Sequence, residues 1–441
     1  MKIRLLNLWE SLRTSFWFIP AVMTFLAIAL SFLTVFIDRR IGPDTNIFGF
    51  LYSGGPEGAR LVLSTIAGSM ITVAGVTFSI TIVALTLASS QFGPRLLRNF
   101  MHDTGNQVVL GTFIATFAYC LLVLRAVHTV EGEDFVPSIS VAVALVLALA
   151  GIAVLIYFIH HVSALMQAEQ VISAVSRDLE EKIRRLFPEE AEDGAERDVK
   201  GEARLRIAED SRPVSTDIPA ARSGYLQAID HHGLREIAGE NDLLVTLPLR
   251  PGDFAAEGST LVTVKSSEAL EEGLAQHMAN AVILGPQRTP EQDAEFAVHQ
   301  LVEVAIRALS PGINDPYTAI SCIDRLGSAL CFLCGSEFPS PYRYDDEGNL
   351  RVLLKPVTFT GIMNAAFDQI RQYGRKSVAV TIRLLETLRM ITAQARTHEQ
   401  REAILRQAEM VRRSSREALH EENDILDVMQ RYQAVVDVLG Q

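Results

Sequence analysis

The chain has few of the patterns that carry catalysis. Its 441 residues contain no GxxxxGK[ST] phosphate loop, no GxGxxG, no GxSxG, no HExxH and no His/Cys cluster at metal-ligand spacing. His231 and His232 are adjacent but stand alone. The expectation is a protein that is not an enzyme, with no metal and no cofactor. Cysteine is also scarce: of the four, Cys120 lies in an apolar run, and Cys322, Cys331 and Cys334 lie in a later apolar helical stretch. A single CxxC without a second pair reads as core packing, not zinc or redox chemistry. Basic excess is missing as well. The net charge is −12, so a nucleic-acid partner has no electrostatic footprint.

Charge itself is absent from long stretches near the start. No charged residue lies between Arg60 and Arg95, which exceeds the roughly 20 apolar residues that span a bilayer. Hydropathy predicts four spans, at about 16–37, 61–88, 107–127 and 135–160. The first is too long for a signal-peptide core and has no small-residue cleavage pattern before Asp38. An even count puts both termini on one side. Lys2, Arg4, Arg13, Arg95 and Arg98 against Glu131, Glu133 and Asp134 make that side cytoplasmic, although Arg39, Arg40 and Arg60 argue weakly the other way. The location read from this is a membrane, crossed several times. No charge lies deep in a span, which disfavours a coupled pump relative to passive permeation.

What the second span does have is hydroxyl groups. Thr65, Ser69, Thr72, Val76, Ser79, Val83, Thr86 and Ser90 recur at alternating spacings of four and three, one continuous helical stripe in which six of eight positions carry an OH. The opposite stripe, from Leu63 through Ile66, Met70 and Val73 to Leu87, is nearly all apolar. Gly68 and Gly75 lie on a third stripe that would allow close backbone approach. Two readings stay open: helix packing by back-bonded hydroxyls, or a polar lining shared among copies in an oligomer. Beyond it, Gly93-Pro94 should end or bend the helix and set Arg95 and Arg98 at the height of lipid phosphates.

From Ile156 the fourth span continues to Pro188 without a Gly or Pro, so one helix of about 50 residues is expected to leave the membrane. A charged linker follows to about residue 212. Strand-like runs at 225–229, 243–249 and 260–265 are separated by turn signals, with His231-His232-Gly233 and Arg250-Pro251-Gly252-Asp253 among them. This segment is similar to the hairpins of biotinyl/lipoyl-like domains but lacks their Met-Lys-Met carrier turn. The remainder reads as helices, including two long ones at about 361–397 and 399–438. In SPGINDPYTAISCIDRL, Asp315 is an N-cap and Pro316 a first helical residue. Ser310, Asn314, Asp315 and Tyr317 could alternatively present polar groups to a ligand.

The fold class is therefore mainly α. A four-helix transmembrane domain (1–165) precedes a helical extension and linker (166–212), a small β-barrel or sandwich module (213–266) and a helical domain (267–441). Three strings, LASSQFGPRLLRNFMHD, QVVLGTFIATFAYCLLVLR and RALSPGINDPYTAISCIDRL, resemble the DUF2254 family of uncharacterised predicted bacterial multi-pass inner-membrane proteins. The resemblance implies a four-span membrane part and a cytoplasmic C-terminal part, and no activity comes with it. The leading expectation is a homo-oligomeric channel or passive permeation protein in contact with membrane lipids. The alternative is a membrane-anchored scaffold or sensor.

Overall fold

The computed structural model describes residues 17–41, 55–93, 103–130, 133–165, 167–188, 201 and 204–440. The chain divides into two compact units, Met1–Val171 and Ile172–Gln441. It is mainly helical, with a small sheet region in the second unit. Arg95 and Arg98 lie outside the described residues.

The first unit consists of α1 (Phe18–Ile41), α2 (Pro56–Phe92), α3 (Thr104–Ala126), a short antiparallel pair β1 (His128–Val130) and β2 (Glu133–Phe135), and α4 (Ser138–Leu165). Helix α3 touches the other three. Half of its apolar segment is buried, against 22% for α2, so α3 is the central helix of the unit. Its core includes Leu63, Met70, Phe113, Val123, Val141 and Phe158. Tyr119, fully buried, is satisfied: its hydroxyl lies 2.9 Å from Thr34 Oγ1 and donates to Ser140 O at 3.1 Å. The start of α4 is capped from another helix. Asp38 accepts from Ile139 N at 2.9 Å, Ser140 N at 3.0 Å and Ser140 Oγ at 2.6 Å, a carboxylate on a positive helix end. Asp103 caps α3 through Gly105 N at 2.6 Å and also lies 2.7 Å from His161 Nε2.

The expected 50-residue helix is broken: α4 ends at Leu165 and α5 (Ala168–Leu186) begins beyond it. The apolar stripe Ile172, Val175, Leu179 and Ile183 of α5 is buried, so this amphipathic segment belongs to a packed unit instead of projecting freely.

Two sheets occupy the middle of the second unit. Strands β3 (Val214–Pro219), β4 (Gly224–Ile229), β5 (Leu244–Leu247), β6 (Phe254–Ala255), β7 (Thr260–Ser266), β8 (Val282–Gly285), β9 (Tyr342–Tyr344) and β10 (Leu350–Leu354) pair in the orders β3-β7-β5-β10-β9 and β6-β4-β8. All ladders are antiparallel except β5 with β10, which is parallel, Val245 opposite Val352. Residues of both sheets share one core around Leu226, Val245, Val262 and Met278. The PGD turn forms as read, with Gly252 at φ +97° donating its N–H to Leu226 O at 2.8 Å. The expected hairpin turn at His231-His232 is instead a helix, α6 (His231–Glu240). Asp230 caps it by accepting from Gly233 N at 3.0 Å, and Leu234 and Ala238, one turn apart, are buried. Two glycines in ten residues disguise that pattern.

Helices α7 (Glu272–Asn280), α8 (Ala294–Ala308), α9 (Pro316–Gly335), α10 (Phe359–Gly374), α11 (Val378–Thr392), α12 (His398–Ala418) and α13 (Glu422–Leu439) complete the unit. The two long helices read from the C-terminal sequence are thus four. Chain reversal is imposed by packing, since a Cβ on Gly374 would meet Val380 Cγ1 at 2.6 Å. By length and composition the described residues hold five helices able to cross a membrane, not four. The fifth is α9, whose mean hydropathy of 1.3 is well below the 2.1 to 3.0 of the others. It carries Asp324, which receives Arg383 of α11 at 2.5 and 2.8 Å.

Candidate functional site

Helix α2 runs for 37 residues, about 56 Å at 1.5 Å per residue, against a hydrocarbon core of about 30 Å. Pro56 opens it, and Gly93 at φ +110° closes it by donating its N–H to Ser89 O at 3.1 Å. The side facing α3 and α4 is the apolar stripe. Leu63, Ile66, Met70 and Thr77 are buried and Val73 and Ala84 half-buried, while Ile80 and Leu87 are exposed.

The hydroxyl stripe lies on the other side. Thr65, Ser69, Thr72, Val76, Ser79, Val83, Thr86 and Ser90 are all exposed. Each hydroxyl donates to a carbonyl of its own helix: Thr65 to Leu61 at 2.7 Å, Ser69 to Thr65 at 2.7 Å, Thr72 to Gly68 at 2.8 Å, Ser79 to Gly75 at 2.9 Å, Thr86 to Ile82 at 2.9 Å and Ser90 to Leu87 at 2.8 Å. With the protons used internally, the groups turn oxygen lone pairs outward. Such a surface can sit in lipid at small cost, or it can solvate a cation or water.

Gly68 and Gly75 are exposed too, and a Cβ on either would meet nothing within 4 Å. Close approach inside this unit occurs at Gly111 of α3. A Cβ there would fall 2.6 Å from Met23 Sδ and 3.2 Å from Pro20 Cα. Hydropathy gives no sign of it.

The profile of a family described as "predicted membrane protein (DUF2254)" matches residues 13–390. The chain belongs to this family. Uncharacterised proteins of Mycobacterium bovis and Mycobacterium tuberculosis are similar to this DUF2254 chain, each 32% identical over 426 residues, which is 94% of this chain and 79% of theirs. The likeness therefore runs through both units. No solved structure matches it.

In the second unit of this DUF2254 protein, the polar group read around Asp315 is spent on local structure. Asp315 accepts from Tyr317 N at 3.1 Å, Thr318 N at 3.2 Å and Thr318 Oγ1 at 2.6 Å. Asn314 sits at φ +51° and donates its N–H to Ser310 O at 2.9 Å. Tyr317 is 79% exposed. Among the described residues no group of three or more His, Cys, Asp or Glu could hold a metal.

Elsewhere in this unit a largely apolar cavity of about 240 Å³ is lined by Phe187, His231, Pro251, Gln292, Pro341 and Lys355, among others. Burial lowers the His231 pKa and the nearby Arg343 adds to the effect, with Asp230 opposing. The ring Nδ1 is buried without a hydrogen-bond partner. Sequence reading placed His231 in a turn and could not assemble this cavity, whose walls come from segments more than a hundred positions apart.

Proposed function

We propose that the protein forms a passive membrane pathway for ions or small solutes, assembled from several copies of the chain, with the hydroxyl face of α2 turned toward the path. One observation carries this reading: every position of the stripe is exposed in a single chain, while on the opposite face of the same helix Leu63, Ile66, Met70 and Thr77 are buried. Enclosure of Ser69, Thr72 and Ser79 by apolar neighbours would have removed the basis for permeation, and they are open. An outward array of acceptor oxygens favours a cation or water over an anion. In this reading α1 to α4 are the membrane-spanning helices of an inner-membrane protein and α9, with its Asp324–Arg383 pair, is a core helix of a cytoplasmic assembly or gating unit. Both termini are cytoplasmic and the protein is not an enzyme. The two sheets, with their common core, form a small sandwich within that unit.

The cavity beside His231 favours a second reading, a membrane-anchored sensor whose cytoplasmic unit takes a ligand without transport. The two are separated by reconstituting the full chain in liposomes and following potassium and small-solute flux. Thr72→Leu and Ser79→Leu, at exposed helical positions that leave the single-chain fold intact, are expected to lower flux at least about tenfold, the effect of roughly 1.4 kcal/mol on the barrier. Absence of flux from the unaltered protein, or flux indifferent to both substitutions, overturns the pathway and leaves the sensor.

A further inference from the structure

A second concavity in the C-terminal unit has a different character. It is an open cleft of about 720 Å³ between the last turn of α10 and the C-terminal half of α12, and it presents Arg371, Arg375, Arg413, Tyr373, Ser414 and Glu417. Three arginines thus face one carboxylate, in a chain whose overall charge is −12. Ordinary surface charge of this protein would give the reverse balance.

Two of the three arginines are not consumed by local pairing. Arg371 is held in place, its Nη1 donating to Ser414 Oγ at 3.1 Å and its Nη2 lying 3.7 Å from Asp368. Yet its Nε is buried and has no acceptor. Ser414 in turn donates to Met410 O, so the hydroxyl oxygen is fixed in orientation. Just behind, Arg412 packs its guanidinium 5.1 Å from the Tyr432 ring centroid, and its Nε is likewise buried without an acceptor. Arg375 and Arg413 are exposed, and among the described residues neither has an ion-pair partner. The two Nε atoms are enclosed, so the donors most open to the cleft are the exposed guanidinium groups of Arg375 and Arg413.

We infer that the cleft between α10 and α12 binds a ligand bearing one or more phosphate groups. Guanidinium forks match phosphate geometry and give charge-assisted bonds of about twice the ordinary strength. A single carboxylate would occupy one fork, whereas a phosphate ester or diphosphate can engage Arg371, Arg375 and Arg413 together. Tyr373, 58% exposed at the rim, offers an apolar ring face for the part of the ligand that carries the phosphate. The carbonyl end of α10 opposes an anion. The three guanidinium groups outweigh that half-charge. This site is independent of the α2 pathway.

The shared chemistry admits a soluble phosphorylated molecule or a lipid headgroup. The test uses the full chain in neutral detergent, titrated by calorimetry in separate arms with inorganic pyrophosphate, with ATP and with a water-soluble short-chain phosphatidylinositol phosphate, each at matched ionic strength. At least one arm is expected to bind, and Arg375→Glu with Arg413→Glu is expected to weaken it roughly tenfold or more without moving the melting temperature, since both side chains are exposed. Tightest binding of pyrophosphate or ATP identifies a soluble ligand, and tightest binding of the short-chain lipid identifies a headgroup. Failure of all three arms, or affinity unchanged in the double variant, overturns the inference whatever the outcome of the flux experiment.

Discussion

At the scale of single residues, polar groups in this chain are mostly spent on structure, and the exceptions are where chemistry can enter. His231 is one exception. It opens α6, where the helix dipole disfavours a positive charge, and it lines a cavity that also holds Arg250, Arg343 and Lys355. Burial and then Arg343 depress its pKa, and Asp230 only partly compensates. The folded state therefore prefers the neutral ring more than the unfolded chain does. Above about pH 6.5, the ordinary histidine value, both states are neutral and the residue is silent. As pH falls through that value the unfolded chain takes up the proton first, so stability is lost, and the loss is complete once pH is below the depressed folded value. Each unit of separation corresponds to about 1.4 kcal/mol. Hydrogen exchange of peptides covering residues 225–240, corrected for intrinsic rates, is expected to accelerate between pH 7.5 and 5.5, and His231→Gln is expected to flatten that dependence. Equal acceleration in the two proteins would refute the assignment.

At the scale of elements, Gly111 and Gly68 make opposite demands. Gly111 brings α3 against Pro20 and Met23 of α1, with backbone in the path of any added Cβ. Gly111→Ala should cost about 1–3 kcal/mol by overpacking. Gly68→Leu meets nothing in one chain and removes a helix-weakening residue worth up to about 1 kcal/mol. Its melting temperature should hold or rise, while light scattering should show a loss of any oligomer that packs along that face. A drop in single-chain stability with Gly68→Leu, or none with Gly111→Ala, contradicts this division. Elements set by local pattern were legible in advance. The four strongly apolar helices, the PGD turn and the Asp315-Pro316 start all follow from spacing and turn chemistry. The close approach at Gly111 was not, because sequence does not say which of several glycines meets a neighbour. Nor were the chain reversals at residues 375–377 and 419–421, which have no proline and are fixed by what folds back against them. The same holds for the α10–α12 cleft. Its Arg412-Arg413-Ser414-Ser415-Arg416 run is visible in the chain, but only packing brings Arg371 and Arg375 to it.

At the scale of the whole molecule, the reading of residues 213–266 as a small β module meets the sheet topology. Strand β10 lies between β5 and β9, parallel to β5, with Val352 opposite Val245 and Leu354 opposite Leu247. Val352 also belongs to the core shared by both sheets. Buried Arg351 ties the same places together, reaching Asp242 at 2.6 Å and Asp345 at 2.7 Å, while buried Arg212 reaches Asp242 at 2.7 Å. The Arg351 guanidinium, with Arg212 and against a burial penalty, holds the Asp242 carboxyl below its usual range. A fragment of residues 204–290 would lose β9, β10 and Arg351 at once. It would expose the edge of β5 as an unpaired strand, the geometry that invites association between chains, and it would open the core at Val352. Residues 167–441 keep β3 to β10, every strand of the two sheets, and both acidic partners of Arg351. The longer fragment is expected to be soluble and to unfold cooperatively in urea, and the shorter to aggregate or to give collapsed, poorly dispersed amide resonances. Native-like dispersion from residues 204–290 alone would mean that the β10 segment merely decorates a complete sheet, and the parallel pairing would then carry little of the stability assigned to it.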